Sequence, residues 1–306
     1  MSDAEVPVIL SPATTEPDEP SIPEFRRPAT SELIGSIGDL WRARELLYEL
    51  TLRDIRVRYK QAAFGVAWAL LTPIFVVLGG VVARAALAGG HHGIDRTALA
   101  SIAVKAVPWS FFVGAIGFST PSLSSNSTLL TKVFFPREVL PISTVAAHLV
   151  DLSAGSLAVT VLLLVIQTPI SLTVLWVPLM LVLLVLFTMG SSLVLSCANL
   201  FFRDVKYAVQ ILLTFGIFFT PIFFEPAMFG PVGARIAMMN PMAPLLEGVR
   251  VAVVEQHNLL VPLVTPTGVV AWDPIYLVYG LATSILGLFV ALILFARFER
   301  SFADYV

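Results

Sequence analysis

Two ionisable residues inside an apolar stretch are the first candidates for chemistry in this sequence. His148 and Asp151 lie three positions apart, and this spacing places both side chains on one face of a helix. In a membrane segment such a pair could relay protons, fix helix packing or line a wet vestibule. A relay needs further ionisable groups in other segments, and Lys105 is the other candidate. The sequence leaves these interpretations open.

Glu247 and Arg250 repeat the same spacing in a later, proline-containing segment. A local ion pair is the default interpretation of two opposite charges three positions apart. A role in gating a passage is the alternative.

Several kinds of chemistry are excluded by what the sequence lacks. It has no Walker-type glycine loop followed by Lys and Ser or Thr, so it cannot hydrolyse ATP by that route. Its single cysteine, Cys197, allows no intramolecular disulfide, and no cluster of Cys and His has the spacing of a metal site. The 19 basic and 21 acidic residues nearly cancel, which gives no reason to expect nucleic acid as a partner. We therefore expect no metal and no cofactor bound by this chain, and no catalytic residue.

The elements that must position these residues are membrane helices. With 57% hydrophobic residues, 13% charged residues and a mean hydropathy of +0.87, the chain is too apolar for a water-soluble globule. A helix needs about 20 apolar residues to cross the hydrocarbon. We predict an all-α integral membrane protein whose domain at 63–300 has six transmembrane helices, at 64–88, 99–120, 139–166, 174–201, 207–224 and 275–296.

The positions of the cations predict the orientation of these helices. Of the 19 basic residues, eight precede the first span, two lie between spans 2 and 3, two between spans 4 and 5, and two after span 6. Loops rich in Lys and Arg stay in the cytoplasm. We therefore place both termini in the cytoplasm.

The region before the first span divides into two parts. Residues 1–30 are acidic and rich in proline, which is typical of a disordered tail. Residues 31–62 repeat apolar side chains at helical intervals and carry several cations, which predicts an amphipathic helix lying on an anionic cytoplasmic leaflet.

The external connection between spans 5 and 6 is long, and it contains prolines among apolar residues. A solvated loop would be more polar, so we expect short re-entrant helices that form a gate segment at 225–258. Aromatic rings can contact the C–H faces of sugar rings. The candidates for lining a channel are Phe111, Phe112, His148, Asp151, Phe218 and Phe219.

Three motifs resemble permeases of type-2 ABC exporters for O-antigen, capsule, teichoic-acid and galactan polymers. The first runs from Arg53 through Tyr59 and Lys60 to Phe64-Gly65, Trp68 and Pro73. The second runs from Asn126 through Phe134-Phe135-Pro136-Arg137-Glu138 to Asp151. The third runs from Phe202-Arg203-Asp204 through Thr220-Pro221 to Asn240-Pro241, Glu247 and Arg250. Together they cover about residues 45–300 in the family's order.

The resemblance implies a homodimer of six-helix subunits in the bacterial inner membrane. Each subunit would dock on a separate nucleotide-binding subunit that holds ATP and Mg, and a polyprenyl-phosphate-linked polysaccharide would pass between the two copies. The residues expected to contact the ATPase are Arg53, Arg58, Tyr59, Lys60, Lys132, Phe135, Pro136, Arg137, Glu138, Arg203 and Asp204. The residues expected to form the external gate are Glu225, Asn240, Pro241, Glu247 and Arg250.

Three other functions compete with polysaccharide export. An exporter of a small amphiphile, such as a drug or lipid, would share the six spans and the ATPase. An ion-coupled carrier would use His148 and Asp151 and would work without an ATPase. A membrane glycosyltransferase would need acidic residues at the interface, where Asp54, Glu138 and Asp204 are the candidates.

Overall fold

The protein is built almost entirely from helices. The computed structural model describes residue 38 and residues 41–60, 67–87, 95–132, 135–299 and 302, so the tail at 1–30 lies outside the described residues. The helices are α1 (Arg44–Tyr59), α2 (Ala67–Leu87), α3 (Arg96–Ser119), α4 (Ser122–Ser125), α5 (Ser127–Lys132), α6 (Val139–Ala147), α7 (Leu149–Val165), α8 (Trp176–Phe201), α9 (Val205–Phe219), α10 (Gly230–Met238), α11 (Met242–Val253) and α12 (Pro274–Glu299). Short 3-10 turns at Leu172–Leu175 and Pro226–Phe229 precede α8 and α10.

Four of these helical stretches are long and apolar enough to cross a membrane. Within the described ranges they are Arg96–Ser119, Val139–Val165, Leu172–Phe201 and Pro274–Glu299. Two shorter apolar stretches, Leu70–Ala83 and Val205–Phe219, coincide with the predicted first and fifth spans. The all-α membrane class is confirmed, and the number of six spans stays a prediction.

Two predicted spans differ from single straight helices. The third is interrupted at His148, whose amide donates to the carbonyl of Val145 at 3.1 Å in a tight turn. The fifth ends at Phe219 rather than at residue 224. Thr220 is extended, with φ −110° and ψ 138°, because the following Pro221 disfavours a helical conformation at the residue before it.

A small β-hairpin follows α11 and was not expected from the sequence. Strand β1 (Leu263–Val264) pairs antiparallel with strand β2 (Val270–Trp272). Trp272 is completely buried, and its indole N–H donates to the carbonyl of Leu259 at 3.0 Å. The hairpin and the buried Trp272 therefore close the connection between α11 and α12 against the core.

Helix α3 lies at the centre of the bundle. Its most apolar window is 78% buried, whereas the corresponding windows of the other three long helices are 17–22% buried. One apolar cluster surrounds α3 from Val104 to Ile116 and includes residues of α8 and α11. A second cluster joins α1, α6, α8 and α12 at the other end.

The most extensive helix pair is α8 against α12, and it depends on a glycine. A Cβ atom at Gly190 would lie 3.0 Å from the Cα and 3.1 Å from the backbone nitrogen of Leu288. Backbone atoms cannot move aside as the end of a side chain can, so a glycine at this position permits the close approach.

Helix α9 leaves most of its surface uncovered by the part of the chain that the structure describes. Apolar side chains that are exposed by 57–77% line much of its surface, namely Ile211, Leu212, Phe215, Phe218 and Phe219. Such a surface requires lipid or another protein against it.

Candidate functional site

A polar cluster fixes the C-terminal end of α1 to α7. It combines residues that were expected to contact the ATPase with residues that were expected to line a channel. Arg58 Nη1 donates to Asp151 Oδ2 at 2.6 Å, and the Tyr59 hydroxyl donates to the other oxygen of the same carboxylate. His148 Nδ1 lies 3.1 Å from Arg58 Nη2 and 2.8 Å from the carbonyl of Thr144. We refer to Arg58, Tyr59, His148 and Asp151 as the α1–α7 cluster.

The environment of Tyr59 keeps its hydroxyl protonated. Burial raises the pKa of Tyr59 to about 12, and the hydrogen bond to Asp151 and the negative charge of Asp151 act in the same direction. The phenol therefore remains a hydrogen-bond donor at physiological pH.

A cavity of about 460 Å³ borders the α1–α7 cluster and extends between α2 and α3. One wall is polar, and Ser110 adds a buried hydroxyl that has no hydrogen-bond partner among the described residues. The other wall is apolar and includes Phe111 and Phe118. The Arg58 guanidinium lies 5.1 Å from the centre of the Phe118 ring, which connects α1 to α3 as well.

The opposite face of α1 carries the cations that remain accessible. A surface groove of about 380 Å³ is lined by Glu49, Arg53, Arg56, Val57 and Lys60. Arg53 pairs with Asp54 at 2.9 Å and donates to Asn126 Oδ1 at 3.3 Å, whereas Arg56 and Lys60 are exposed. Of the four α1 residues expected at an ATPase, two therefore face the protein interior and two line this groove.

The second motif is fixed to the end of α12. Arg137 Nη1 donates to the carbonyl of Glu299 at 2.8 Å, and its guanidinium lies 5.6 Å from the ring centre of Phe302. Phe302 is fully buried and packs edge-to-face on Phe295 and Phe201. We refer to Arg137, Glu299 and Phe302 as the Arg137 anchor.

The residues next to Arg137 in the second motif contact other parts of the protein. Phe135 packs against the second apolar cluster, Glu138 is buried at the start of α6, and the Pro136 carbonyl accepts the amide of Val139 at 3.2 Å. Lys132 is the last residue of α5, and its side chain lies outside the described residues. Arg203 and Asp204 are exposed in the turn between α8 and α9.

The expected pair of Glu247 and Arg250 belongs to a larger buried network. Arg250 Nε lies 2.8 Å from Glu247 Oε1, and Arg250 Nη1 lies 2.6 Å from Glu255 Oε1. Lys105 approaches Glu247 Oε2 at 3.5 Å and donates to the carbonyl of Phe224 at 2.9 Å. Exposure is 1% for Lys105, 0% for Glu247 and 2% for Arg250. We refer to Lys105, Glu247, Arg250 and Glu255 as the Lys105 network.

The other residues expected at an external gate lie beside this network. Glu225 precedes the 3-10 turn at Pro226–Phe229 and directly follows Phe224, whose carbonyl accepts from Lys105. Asn240 donates to Thr220 Oγ1 at 3.1 Å and accepts the Met242 amide at 3.0 Å, which ties the start of α11 to the end of α9. Pro241 occupies the N-cap position of α11.

The channel-lining candidates separate into three environments. Phe111, His148 and Asp151 border the cavity beside the α1–α7 cluster. Phe112 is buried in the core and stacks on Phe187 with ring centres 5.9 Å apart. Phe218 and Phe219 are exposed on α9, by 62% and 77%.

Sequence reasoning missed several partners of these residues. Phe118, Glu255 and Phe302 were not assigned to a site, Asp54 was considered only for a glycosyltransferase, and Lys105 only for a proton relay. An excess of ionisable residues near apolar runs is a signal for such partners, but it does not specify which charges meet. Across the described ranges, no three His, Cys, Asp or Glu side chains are arranged to hold a metal ion.

Comparison with known proteins supports the resemblance seen in the motifs. The chain is 29% identical over 235 residues to the O-antigen export system permease protein RfbA of Myxococcus xanthus, covering 74% of this chain and 86% of the relative. Two Klebsiella pneumoniae proteins of the same name are 28% and 27% identical over 204 and 208 residues, each covering 66% of this chain and 77% of the relative.

A family model described as ABC-2 type transporter matches residues 45–254. This range contains the α1–α7 cluster, the Arg137 motif and all of the Lys105 network except Glu255. Since the match extends over more than half of the sequence, the chain belongs to the ABC-2 type transporter family.

Proposed function

We propose that this chain is the membrane-spanning subunit of an ATP-driven exporter that moves a lipid-linked polysaccharide across the bacterial inner membrane. The observation that carries this proposal is the alignment of O-antigen export permeases with 66–74% of the chain. The polymer is of the O-antigen, galactan or teichoic-acid type, and its lipid carrier is a polyprenyl phosphate. The chain crosses the membrane six times, with both termini in the cytoplasm.

ATP and Mg are bound by a separate subunit that docks at the cytoplasmic side. The groove on α1 supports this part of the proposal, because Arg56 and Lys60 offer exposed cations on a rigid helix. Arg203 and Asp204 present a second exposed charged turn. Arg137 contributes indirectly, since it connects the second motif to α12 through Glu299.

Movement of α1 would be transmitted to the membrane helices through the α1–α7 cluster. Arg58 and Tyr59 both hold Asp151, and Arg58 also lies over Phe118 of α3. A displacement of α1 by the ATPase would therefore displace α7 and the central helix α3. This is a rigid-body coupling of the kind that couples packed elements in other switching proteins.

The polysaccharide would pass between two copies of the chain. The exposed apolar surface of α9 supports a homodimer, since it lacks a partner within the described residues. The cavity beside the α1–α7 cluster has one polar wall for sugar hydroxyls and aromatic rings for sugar faces. The segment at 225–258 would form the external gate.

The ion-coupled carrier is supported less well by the geometry. A proton relay needs a carboxylate that can gain and lose protons, whereas Asp151 is bound by the Arg58 guanidinium at 2.6 Å and by the Tyr59 hydroxyl. These contacts occupy both oxygens of the carboxylate and suit a fixed structural connection.

The proposal is tested by purifying the tagged chain from native membranes and analysing what accompanies it. We expect a Walker-bearing ATPase to co-purify with the wild type and to be lost from the variant Arg56→Glu/Lys60→Glu. Arg44→Glu is the matched control, because Arg44 is exposed at the other end of α1. If the chain elutes alone and moves solute in vesicles without ATP, the proposal is wrong.

A further inference from the structure

The Lys105 network contains three charged side chains from which solvent is excluded, and the proposed mechanism does not use the lysine. Lys105 belongs to α3, whereas Glu247 and Arg250 belong to α11. Ionised groups are costly to bury, so they persist where they contact each other and serve a specific arrangement. The network joins the central helix of the bundle to the segment at 225–258.

The two helices of this segment are held very differently. In α11 the eleven residues from Met242 to Ala252 are all buried. In α10 only Ala234 and Met238 are buried, while Val232 is 71% exposed and Ile236 is 64% exposed. The contacts of Lys105 and Arg250 described above involve α11, the residues directly after it, or the chain that precedes α10. They do not involve α10 itself.

Lys105 makes two contacts that act at different points of the segment. Its ammonium group approaches Glu247 in α11 at 3.5 Å and donates to the carbonyl of Phe224 at 2.9 Å. Phe224 follows the end of α9 and precedes the turn that leads into α10. One side chain of α3 therefore fixes both α11 and the chain entering α10.

The two ends of α10 differ, because its start has a permissive backbone position and its end is held by a hydrogen bond. Gly230 has φ +72°, a conformation that glycine adopts readily, and it begins the helix. At the other end, the Tyr279 hydroxyl donates to the carbonyl of Met239 at 2.7 Å, and Asn240 precedes α11. Helix α10 is thus bounded by a permissive backbone position and by side-chain hydrogen bonds.

We propose that Lys105 is a positioning residue that fixes α11 to α3 as a static base, so that α10 is the part of the external segment that moves. This inference rests on the proposed function, because it assigns the moving and fixed parts of the proposed gate. It predicts that α11 remains inaccessible in every state of the transport cycle. It also predicts that α11 becomes accessible when the Lys105 contacts are removed.

The experiment measures labelling of single cysteines by a membrane-impermeant maleimide added outside intact cells. The background is Cys197→Ser, which removes the single native cysteine. Ala243→Cys reports on α11, because Ala243 is 0% exposed, and Val232→Cys reports on the exposed face of α10. We expect rapid labelling of Val232→Cys and much slower labelling of Ala243→Cys.

Adding Lys105→Met should make Ala243→Cys react at least about tenfold faster, whereas Ser101→Ala should leave it protected. Ser101 is the matched control, because it lies one turn earlier on α3, is 1% exposed and has no hydrogen-bond partner among the described residues. A folded Lys105→Met variant in which Ala243→Cys stays protected would overturn the inference. Equal acceleration by Ser101→Ala would overturn it as well.

A second measurement needs no change in the network and applies if Lys105→Met fails to fold. Ala243→Cys is labelled in cells that export glycan and in cells depleted of ATP, and it should remain protected in both. Labelling during export would show that α11 moves and would contradict the inference. If instead Val232→Cys is not labelled from outside, the proposed orientation fails, which distinguishes that failure from a failure of the network.

Discussion

Asp151 connects two helices that are far apart in sequence, and its role depends on its charge. The residues that hold it, Arg58 and Tyr59, are 93 and 92 positions away. Hydrogen bonds to a charged group contribute about 1.5–3 kcal/mol when they are partly shielded from water. The side chains of Arg58 and Asp151 are 21% and 19% exposed, so this shielding applies.

We predict that Asp151→Asn lowers the stability of the purified protein by about 2 kcal/mol and strongly reduces glycan export. The amide retains the shape of the carboxylate but not its charge, so Arg58 is left without its counter-ion. The measurement is thermal unfolding in detergent together with a cellular export assay. Glu45→Gln is the control, because Glu45 is exposed in the first turn of α1 and lies outside the groove proposed for ATPase docking. A normal export rate in a correctly folded Asp151→Asn variant would contradict the proposed coupling route.

A substitution of Phe302 tests the Arg137 anchor, again at the scale of a single residue. It is fully buried, and its ring centre lies 5.4 Å from that of Phe295 and 5.6 Å from the Arg137 guanidinium. We predict that Phe302→Ala destabilises the protein by about 3 kcal/mol, because the truncation leaves a cavity, and uncouples ATP hydrolysis from export.

Phe298→Ala is the matched control, since Phe298 is one of the neighbouring rings but is 44% exposed. We expect it to cost less than about 1 kcal/mol. Thermal unfolding and the ratio of ATP hydrolysed to glycan exported give the two results. If both variants behave alike, the end of the chain does not position Arg137.

At the scale of secondary structure elements, two glycine substitutions test how closely α8 and α12 pack. Gly190 meets the backbone of Leu288, while the next glycine on α12, Gly287, has no atom within 4 Å of its added Cβ. We predict that Gly190→Ala costs about 1–3 kcal/mol because the helices must separate, whereas Gly287→Ala is neutral or stabilising. Thermal unfolding of the two variants measures this difference. Equal stability would mean that the helix pair adjusts without cost.

Helix boundaries could be predicted to within a few residues because long apolar runs and prolines act locally. Asp95 caps α3 by accepting the Thr97 amide at 3.1 Å, which explains why the helix begins at residue 96 rather than at 99. Pro221 explains the early end of α9. Both signals are visible in the sequence. The β-hairpin was missed because its strands have only two and three residues.

The partners within the site could not be predicted, because periodicity indicates a face of a helix and not the element that packs on it. The spacing of Glu247 and Arg250 correctly indicated an ion pair, but nothing in the sequence joined Lys105 to them. In the same way, His148 and Asp151 were grouped with the channel and Arg58 with the ATPase. Only the contacts of the Arg58 guanidinium with both His148 and Asp151 show that they form one cluster.

At the scale of the whole molecule, the two polar assemblies lie at different depths of the same central helix. Phe118 contacts the α1–α7 cluster, whereas Lys105 lies in the Lys105 network, which joins α3 to α11. Thirteen residues of helix separate them, which is roughly 20 Å. In the proposed mechanism, α3 transmits a displacement from the proposed ATPase side to the proposed gate, because both polar assemblies are attached to it.

The second whole-molecule feature is the apolar surface of α9, and it carries our prediction for the homodimer. Lipid tails are as apolar as these side chains, so association in the membrane depends on close packing rather than on the hydrophobic effect. Ile211, Phe215 and Phe218 are exposed by 60%, 57% and 62% and follow one face of the helix at helical spacing. We predict that changing all three to alanine lowers the dimer affinity at least about tenfold.

The matched control lies on α7, where Leu157, Val161 and Leu164 have the same spacing and are exposed by 67%, 52% and 56%. Changing these three to alanine should leave the dimer intact if α7 faces lipid. Single-molecule counting of subunits in native-membrane patches, at several expression levels, measures the dimer fraction for each variant. If the α9 variant remains dimeric and the α7 variant does not, the second copy packs on α7. If neither variant changes the dimer fraction, neither α9 nor α7 forms the dimer interface. The polysaccharide path would then have to be bordered by other helices.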